Sequence, residues 1–345
     1  MARKDGGGRD GGRQAPKAGK SGRNAKTGKA FEDGKPVKGG RSVRLIAGGR
    51  SGSGARSGTP AKPPKGAGPK LRGVTSRNGW FELDDSAAAN VLTQLSGEHT
   101  PGFDGTREEA EIATERLRQR LVDLQQRLYA EDKHKVLVVL QAMDTGGKDG
   151  TIQKVFSGVN PLGVAVARFE RPTPVELAHD YLWRVHQVVP QKGQIVIFNR
   201  SHYEDVLVVR VNSLVPEAVW RKRYGHLCDF ERLLADEGTT ILKFYLHIDA
   251  AEQKSRLQAR LDEPDKRWKF DPGDLEQRRH WLEYMAAFRD AIVETHRPEA
   301  PWFVVPANKK WFRDYAILSI LVSALERLDP RYPEPTFDPA GIVIT

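Results

Sequence analysis

The sequence predicts an α/β fold, a five-stranded parallel sheet with helices on both faces. Three observations predict it. The run 136–140, VLVVL, has the continuous apolar, β-branched pattern of a strand buried on both faces. A glycine-containing turn with Lys148 follows at once and opens a segment whose apolar spacing (Ile152, Val155, Phe156) suits a helix. Four further apolar runs, at 164–169, 195–198, 241–248 and 302–305, alternate with stretches of helical signature.

In chain order, residues 80–103 form a mixed entry segment with no clear period. Thr106 and Glu109 then form a capping box, and Leu117, Leu121, Leu124 and Leu128 recur at helical steps. This leucine stripe packs either on the sheet or on another subunit. After the central strand and the strand 164–169, a second capping box, Thr173 to Glu176 with Pro174 at the first helical position, starts a helix carrying His179, Asp180, Trp183, Arg184 and His186. The histidine pair lacks a third ligand and is read as surface or supporting groups rather than a metal site. Strand 195–198 ends in NRSHYED. Pro216 opens a helix to about Ala235, strand 241–248 follows, and Asp249 caps a helix to Leu261. Residues 262–273 break the pattern with two prolines and a glycine; Asp274 starts another helix, 302–305 is the last strand and 309–328 the last helix.

Ligands of such sheets bind beyond the carboxyl ends of the strands, so the charged segments after Leu140, Phe169, Phe198 and Ile248 should converge. Strand, glycine loop and helix N-terminus make an anion cradle from unpaired amides and the helix dipole. The loop, Gly146, Gly147, Lys148, Asp149, Gly150 and Thr151, is close to a Walker A motif but has Ala142 in place of its first glycine and Asp149 in place of its Ser/Thr. Lys148 and the loop amides hold one phosphate, and Arg200, just past a buried strand, reaches another. Asp144 and Asp205 are the metal candidates, since Mg²⁺ prefers carboxylate oxygens and water. Asn199 stands where a Walker B aspartate would be expected.

The segment RLQARLDEPDKRWKF carries Arg256, Arg260, Lys266, Arg267 and Lys269 across a proline-punctuated hinge, the pattern of a cationic lid at about 256–273. Lys309, Lys310 and Arg313 either add to the same field or form an ordinary basic helix face.

QAMDTGGKDGT, FERPTPVELAHDYLWRVH, IVIFNRSHYEDVLVVRV and RLDEPDKRWKF, in this order, resemble the motifs of the polyphosphate kinase 2 family over roughly residues 80–330. The resemblance implies a three-layer α/β/α, P-loop kinase-like fold and Mg²⁺-dependent, reversible transfer of the terminal phosphate of inorganic polyphosphate to an adenine nucleotide, AMP or ADP. By motif match it implies that Asp144 and Lys148 are the Walker A pair, Arg200 and Asp205 the Walker B group, and Lys266 and Arg267 the lid cations. FNRSHYED resembles the subgroup that accepts both AMP and ADP. The expected arrangement puts polyphosphate under the lid beside Lys148, with Arg256 and Arg260. The nucleotide enters past Asn199, Arg200, Tyr203 and Glu204. The resemblance and the stripe also suggest a homo-oligomer, dimer or tetramer.

The first 72 residues carry 19 Lys and Arg against 4 Asp and Glu, whereas the whole chain is only +10, so the remainder is acidic on balance. With runs such as DGGGRDGGR and few large apolar residues, residues 1–77 read as a disordered basic tail preceding a catalytic domain at 78–345. The tail is either a solvated extension or an arm that concentrates polyanions. One cysteine, Cys228, excludes an internal disulfide framework and fits a reducing compartment. With no apolar run long enough for a membrane span and no secretory signal, a cytoplasmic location is expected. The rival readings are a kinase using a nucleoside triphosphate on a small metabolite, and a nucleic-acid-binding protein acting through its tail.

Overall fold

A computed structural model describes the strands Val74–Arg77 and Trp80–Leu83, Leu92, and residues 95–344. Most of the expected tail lies outside the described residues. Its last four residues do not: Val74–Arg77 (β1) pairs antiparallel with Trp80–Leu83 (β2), so the boundary expected at 77 cuts through a hairpin.

The expected five parallel strands are present. Lys135–Ala142 (β3) lies at the centre, between Ile195–Asn199 (β5) and Thr239–His247 (β6), with Val164–Arg168 (β4) and Trp302–Pro306 (β7) outside them. The hairpin β1–β2 extends the sheet antiparallel at the β7 edge, through Glu82 opposite Phe303. Leu140 is in register with both Asn199 and Phe244, which brings the carboxyl ends of β3 and β5 together.

The period of two along β3 divides the core. Leu137 and Val139 face a cluster closed by Trp220, Leu227 and Phe230 of one helix and by Tyr284 and Phe288 of another. Val136, Val138 and Leu140 face the opposite cluster. There Leu121, Leu124 and Leu128 of Arg107–Glu131 (α1) are buried with Phe312, Ile317 and Leu321 of the last helix. The leucine stripe is thus spent inside the subunit, on the sheet side. The α1 capping box forms as the spacing predicts, Glu109 N–H donating to Thr106 Oγ1 at 3.2 Å and Thr106 N–H to Glu109 Oε2 at 2.8 Å.

Lys148–Val155 (α2) follows the glycine loop. The second capping box also forms, but the helix it opens is one turn long: Pro174–Leu177 (α3) ends, and a separate turn, Trp183–His186 (α4), follows. Asp180 breaks the path, its Oδ1 accepting from Leu182 N–H at 2.9 Å. Val208–Val211 (α5), Glu217–Asp236 (α6) and Ala250–Asp262 (α7) come next. Asp249 occupies the cap position of α7 without capping it; its carboxylate instead accepts from Ser96 Oγ, Gly97 N–H and Asn308 Nδ2, tying the entry segment to the loop after β7. The helix expected from Asp274 breaks at His280 into Gly273–Arg279 (α8) and Trp281–Thr295 (α9), and Lys310–Leu328 (α10) closes the fold. No described helix is long and apolar enough to cross a membrane.

Candidate active site

The loop between β3 and α2 is a strained cradle. Thr145 has φ 64 and Gly147 φ 104, both left-handed, and only the second is glycine. Gly146 is required by space, because a Cβ there would stand 2.5 Å from the Ala142 Cβ and 2.8 Å from the Met143 carbonyl. Lys148 folds back over the loop, its Nζ donating to the Ala142 carbonyl at 3.0 Å. Burial, together with the Arg200 charge, pulls the Lys148 ammonium below its ordinary range.

The end of β5 faces this loop. Asn199 Nδ2 donates to Asp149 Oδ1 at 2.6 Å, so the carboxylate sits at the helix start and the amide at the strand end, the reverse of the usual Walker arrangement. Arg200, itself at φ 61, donates to Asp144 Oδ1 at 2.9 Å.

The segment after Arg200 alternates between core and cavity. His202 and Tyr203 turn inward and are fully buried. Tyr203 Oη donates to Glu231 Oε1 at 2.9 Å, and His202 Nε2 lies 3.1 Å from the same oxygen. Lys243 Nζ, also fully buried, donates to Glu231 Oε2 (2.6 Å), Tyr203 Oη (2.9 Å) and the Thr295 carbonyl (2.8 Å). Burial alone would raise the Glu231 carboxyl, but Lys243 and His202 outweigh it and hold it below the usual range. Tyr203 is therefore an anchor of the core and lines neither cavity, although the sequence placed it on the nucleotide's path. Glu204, the next residue, lines a cavity; burial raises its carboxyl and Arg200 opposes the rise. With its amide oriented to satisfy both partners, the buried Gln141 accepts from Ser201 Oγ and donates to Glu204 Oε1.

Two cavities open at the carboxyl edge of the sheet. The first, about 660 Å³, is lined by the loop from Asp144 to Gly150, by Arg168 at the end of β4 and Arg171 beyond it, and by Arg260, Lys266, Lys269, Lys310 and Arg313. It presents eleven Lys and Arg against six Asp and Glu. Many of these cations are already engaged. Arg313 is bidentate to Asp314 (2.6 and 2.9 Å), and Arg260 holds Asp274 at 2.8 Å. Among the described residues the side chains of Lys154, Arg171 and Lys310 make no ion pair or hydrogen bond. Lys310 is pulled below the usual lysine range by partial burial and by the like charges of Arg256, Lys266 and Arg313, a field that an anion would relieve.

The second cavity, about 1040 Å³, is more apolar. Phe169, Tyr181, Leu207, Tyr284 and Phe288 line it with Arg184, Glu204, Asp205 and Arg223. The two cavities share seven residues, Asp144 and Arg200 among them, so the Asp144–Arg200 pair stands where their contents would meet.

Asp205 is not free beside Asp144. Its Oδ1 accepts from Arg223 at 2.8 Å, and burial nevertheless raises its carboxyl to about 6. Of the lid pair, Lys266 lines the first cavity and pairs with Glu263, whereas Arg267 lines neither cavity and donates Nε to the Leu261 carbonyl at 2.9 Å. Thr151 is fully buried in α2, its Oγ1 without a partner, and does not reach the cradle. Arg256 touches the loop but not as a free cation: its nitrogens hold Glu252 Oε1 (2.6 Å) and the carbonyls of Thr145 (3.0 Å), Ala307 (2.6 Å) and Asn308 (3.1 Å). Sequence reasoning missed Arg171, Arg223, Asp274 and Tyr284. Arg171 had a signal, its place just past a strand end; the others come from helices remote in sequence.

A glycine loop at the end of the central parallel strand, a cationic cavity and an apolar one meeting at a carboxylate belong to an α/β protein of P-loop kinase-like fold. The chain belongs to the polyphosphate kinase 2 family, whose model matches residues 105–333. It is 60% identical to the AMP/ADP-polyphosphate phosphotransferase of Meiothermus ruber over 253 residues, 73% of this chain and 95% of that protein. It is 44% identical to the ADP-polyphosphate phosphotransferase of Rhodopseudomonas palustris, over 63% of this chain and 80% of that one. The crystal structure of polyphosphate kinase 2 from Arthrobacter aurescens TC1 is similar with a TM-score of 0.71 at 41% identity, covering 73% of this chain and 94% of that one.

Proposed function

We propose that this chain transfers the terminal phosphate of inorganic polyphosphate to AMP and to ADP, in a reversible reaction that uses Mg²⁺. The observation that carries the reading is the junction of two unlike cavities at Asp144 and Arg200. A polymer with about one charge per phosphate suits a cavity lined by eleven Lys and Arg against six Asp and Glu, and the aromatic cavity suits a nucleoside. The names of the relatives from Meiothermus ruber and Rhodopseudomonas palustris support both substrates.

Among the described residues no group of three or more His, Cys, Asp or Glu is arranged around a metal. Mg²⁺ commonly takes one or two carboxylates and fills its octahedron with phosphate oxygens and water, so Asp144 fits that role through the oxygen that Arg200 leaves open. Asp205, held by Arg223, fits it less well. Bound there, Mg²⁺ would neutralise charge on the phosphates. Lys148 and the loop amides orient the donor phosphate, Arg200 aligns the acceptor phosphate, and Lys266 and Lys269 cover the polymer. Little deprotonation of a phosphate oxygen is needed near pH 7, so no strong general base is required.

The test is an assay of the purified chain with long-chain polyphosphate, Mg²⁺ and AMP or ADP in parallel, products being read by chromatography. ADP and ATP from AMP are expected, and polymer formed from ATP would show the reverse reaction. Nucleotide turnover that ignores polyphosphate but requires a small metabolite would replace this reading with that of an ordinary kinase.

A further inference from the structure

We infer that Gln253 and Arg256 are positioning residues: from one face of α7 they hold the strained phosphate loop in the shape that binds phosphate. This inference rests on the loop's proposed role in transfer and adds residues that touch neither substrate.

Thr145 is a β-branched residue with φ 64, a conformation that persists only where its surroundings impose it. The loop's own residues supply the turn bond from Gly146 N–H to the Met143 carbonyl at 2.9 Å and the bond from Lys148 Nζ to the Ala142 carbonyl at 3.0 Å. Arg313 of α10 reaches the Gly147 carbonyl at 3.4 Å, and two side chains from α7 hold the carbonyls on either side of the Asp144–Thr145 step. Gln253 Nε2 donates to the Asp144 carbonyl at 3.1 Å, and Arg256 donates to the Thr145 carbonyl at 3.0 Å. In a planar trans peptide the carbonyl and the following N–H point in opposite directions, so drawing the Asp144 carbonyl toward α7 turns the Thr145 N–H away from it. The same grip fixes the backbone that carries the Asp144 carboxylate.

Both gripping groups are themselves fixed. Gln253 is fully buried, and its Oε1 accepts from Arg278 at 2.7 Å, which sets the orientation of the amide. Arg278 also donates to the Ala250 carbonyl at 2.8 Å. Arg256 spends its remaining nitrogens on Glu252 and on the carbonyls of Ala307 and Asn308. With four of its five N–H donors on protein oxygens, its contribution to transfer runs through the loop rather than through a phosphate. Arg260, one turn on, pins the Lys269 carbonyl and Asp274, so the same helix face continues from the loop to the lid.

Gln253→Glu keeps the volume and the Arg278 partner but removes the donor to Asp144. Arg256→Lys keeps the charge but cannot span three carbonyls. Both variants should lower kcat by at least about tenfold, because a misplaced reacting group is costly, while KM for polyphosphate and for nucleotide stays within about twofold. A rise in KM for polyphosphate at constant kcat in Arg256→Lys would make Arg256 a polymer contact and overturn the inference, as would parental kcat in Gln253→Glu. Amide hydrogen exchange of the peptide spanning 143–148 asks the same question without catalysis: faster exchange in both variants, at a parental melting temperature, is expected. Unchanged exchange would overturn the inference. If the parent protein shows no polyphosphate-dependent transfer, the proposed function fails, while the exchange measurement still decides whether α7 holds the loop.

Discussion

Replacing Lys243 by Met removes an ammonium whose three hydrogen bonds, to Glu231, Tyr203 and the Thr295 carbonyl, lie in a fully buried cluster. Methionine fills a similar volume, so the cost is mainly the charge left behind. Glu231, 1% exposed, keeps only its contacts to His202 and Tyr203. Breaking a buried pair in this way costs about 3–5 kcal/mol, against a total stability of roughly 5–15 kcal/mol for a domain. At about 2–4 °C per kcal/mol the melting temperature should fall by about 10 °C. Urea unfolding at pH 7.5, followed by tryptophan fluorescence, measures the loss. Adding Glu231→Gln removes the orphaned charge and should recover more than half of it. In the single variant Glu231 loses the cation that held its carboxyl down, so the deficit should shrink as pH falls and the carboxyl takes up a proton. The functional consequence follows from the alternation at 202–204: loosening His202 and Tyr203 frees Arg200 and Glu204, so activity should fall in protein that is still folded. A loss below about 1 kcal/mol, or a double variant as unstable as the single one, would refute this account of the cluster.

Asp144→Asn should reduce transfer by about 10²–10³-fold with little change in melting temperature, since the group acts on developing charge at the cavity junction; near-parental turnover would sink its assignment. Asp205 is raised to about 6 by burial, so its contribution to stability is complete below about pH 4 and is lost as pH rises through 6. Asp205→Asn should therefore gain on the parent by up to about 3 kcal/mol between pH 4 and 7 in denaturant titrations; a pH-independent difference would show that the Arg223 pair fully offsets desolvation, and a reversed one that it outweighs it. Lys310→Ala should raise KM for polyphosphate about tenfold, with a weaker salt dependence and an unchanged KM for nucleotide. If the basic tail engages the polymer, removing Met1–Thr59 should raise KM for long chains but not for short oligomers at low salt, with kcat retained; equal effects on both lengths would tell against that contact.

The sequence by itself determined the parallel sheet, the loop after its central strand and the convergence of charged segments. Each is a local signal: a buried run, a glycine turn, a capping box or a strand end. The capping boxes at Thr106 and Thr173 formed as spaced, because their partners lie within one turn. Only the tertiary structure decided how individual side chains are spent. Within NRSHYED the letters do not say which residues face the core; that was settled by Glu231 and Lys243, which are far along the chain and turn Tyr203 inward while leaving Glu204 beside the cavity. Arg256 and Arg267 read alike as lid cations, yet one is bound to three backbone carbonyls and the other donates to Leu261. Composition counts charges, whereas the free energy of a charge depends on its desolvation and on the partner at 3 Å, and both are fixed only when distant elements pack.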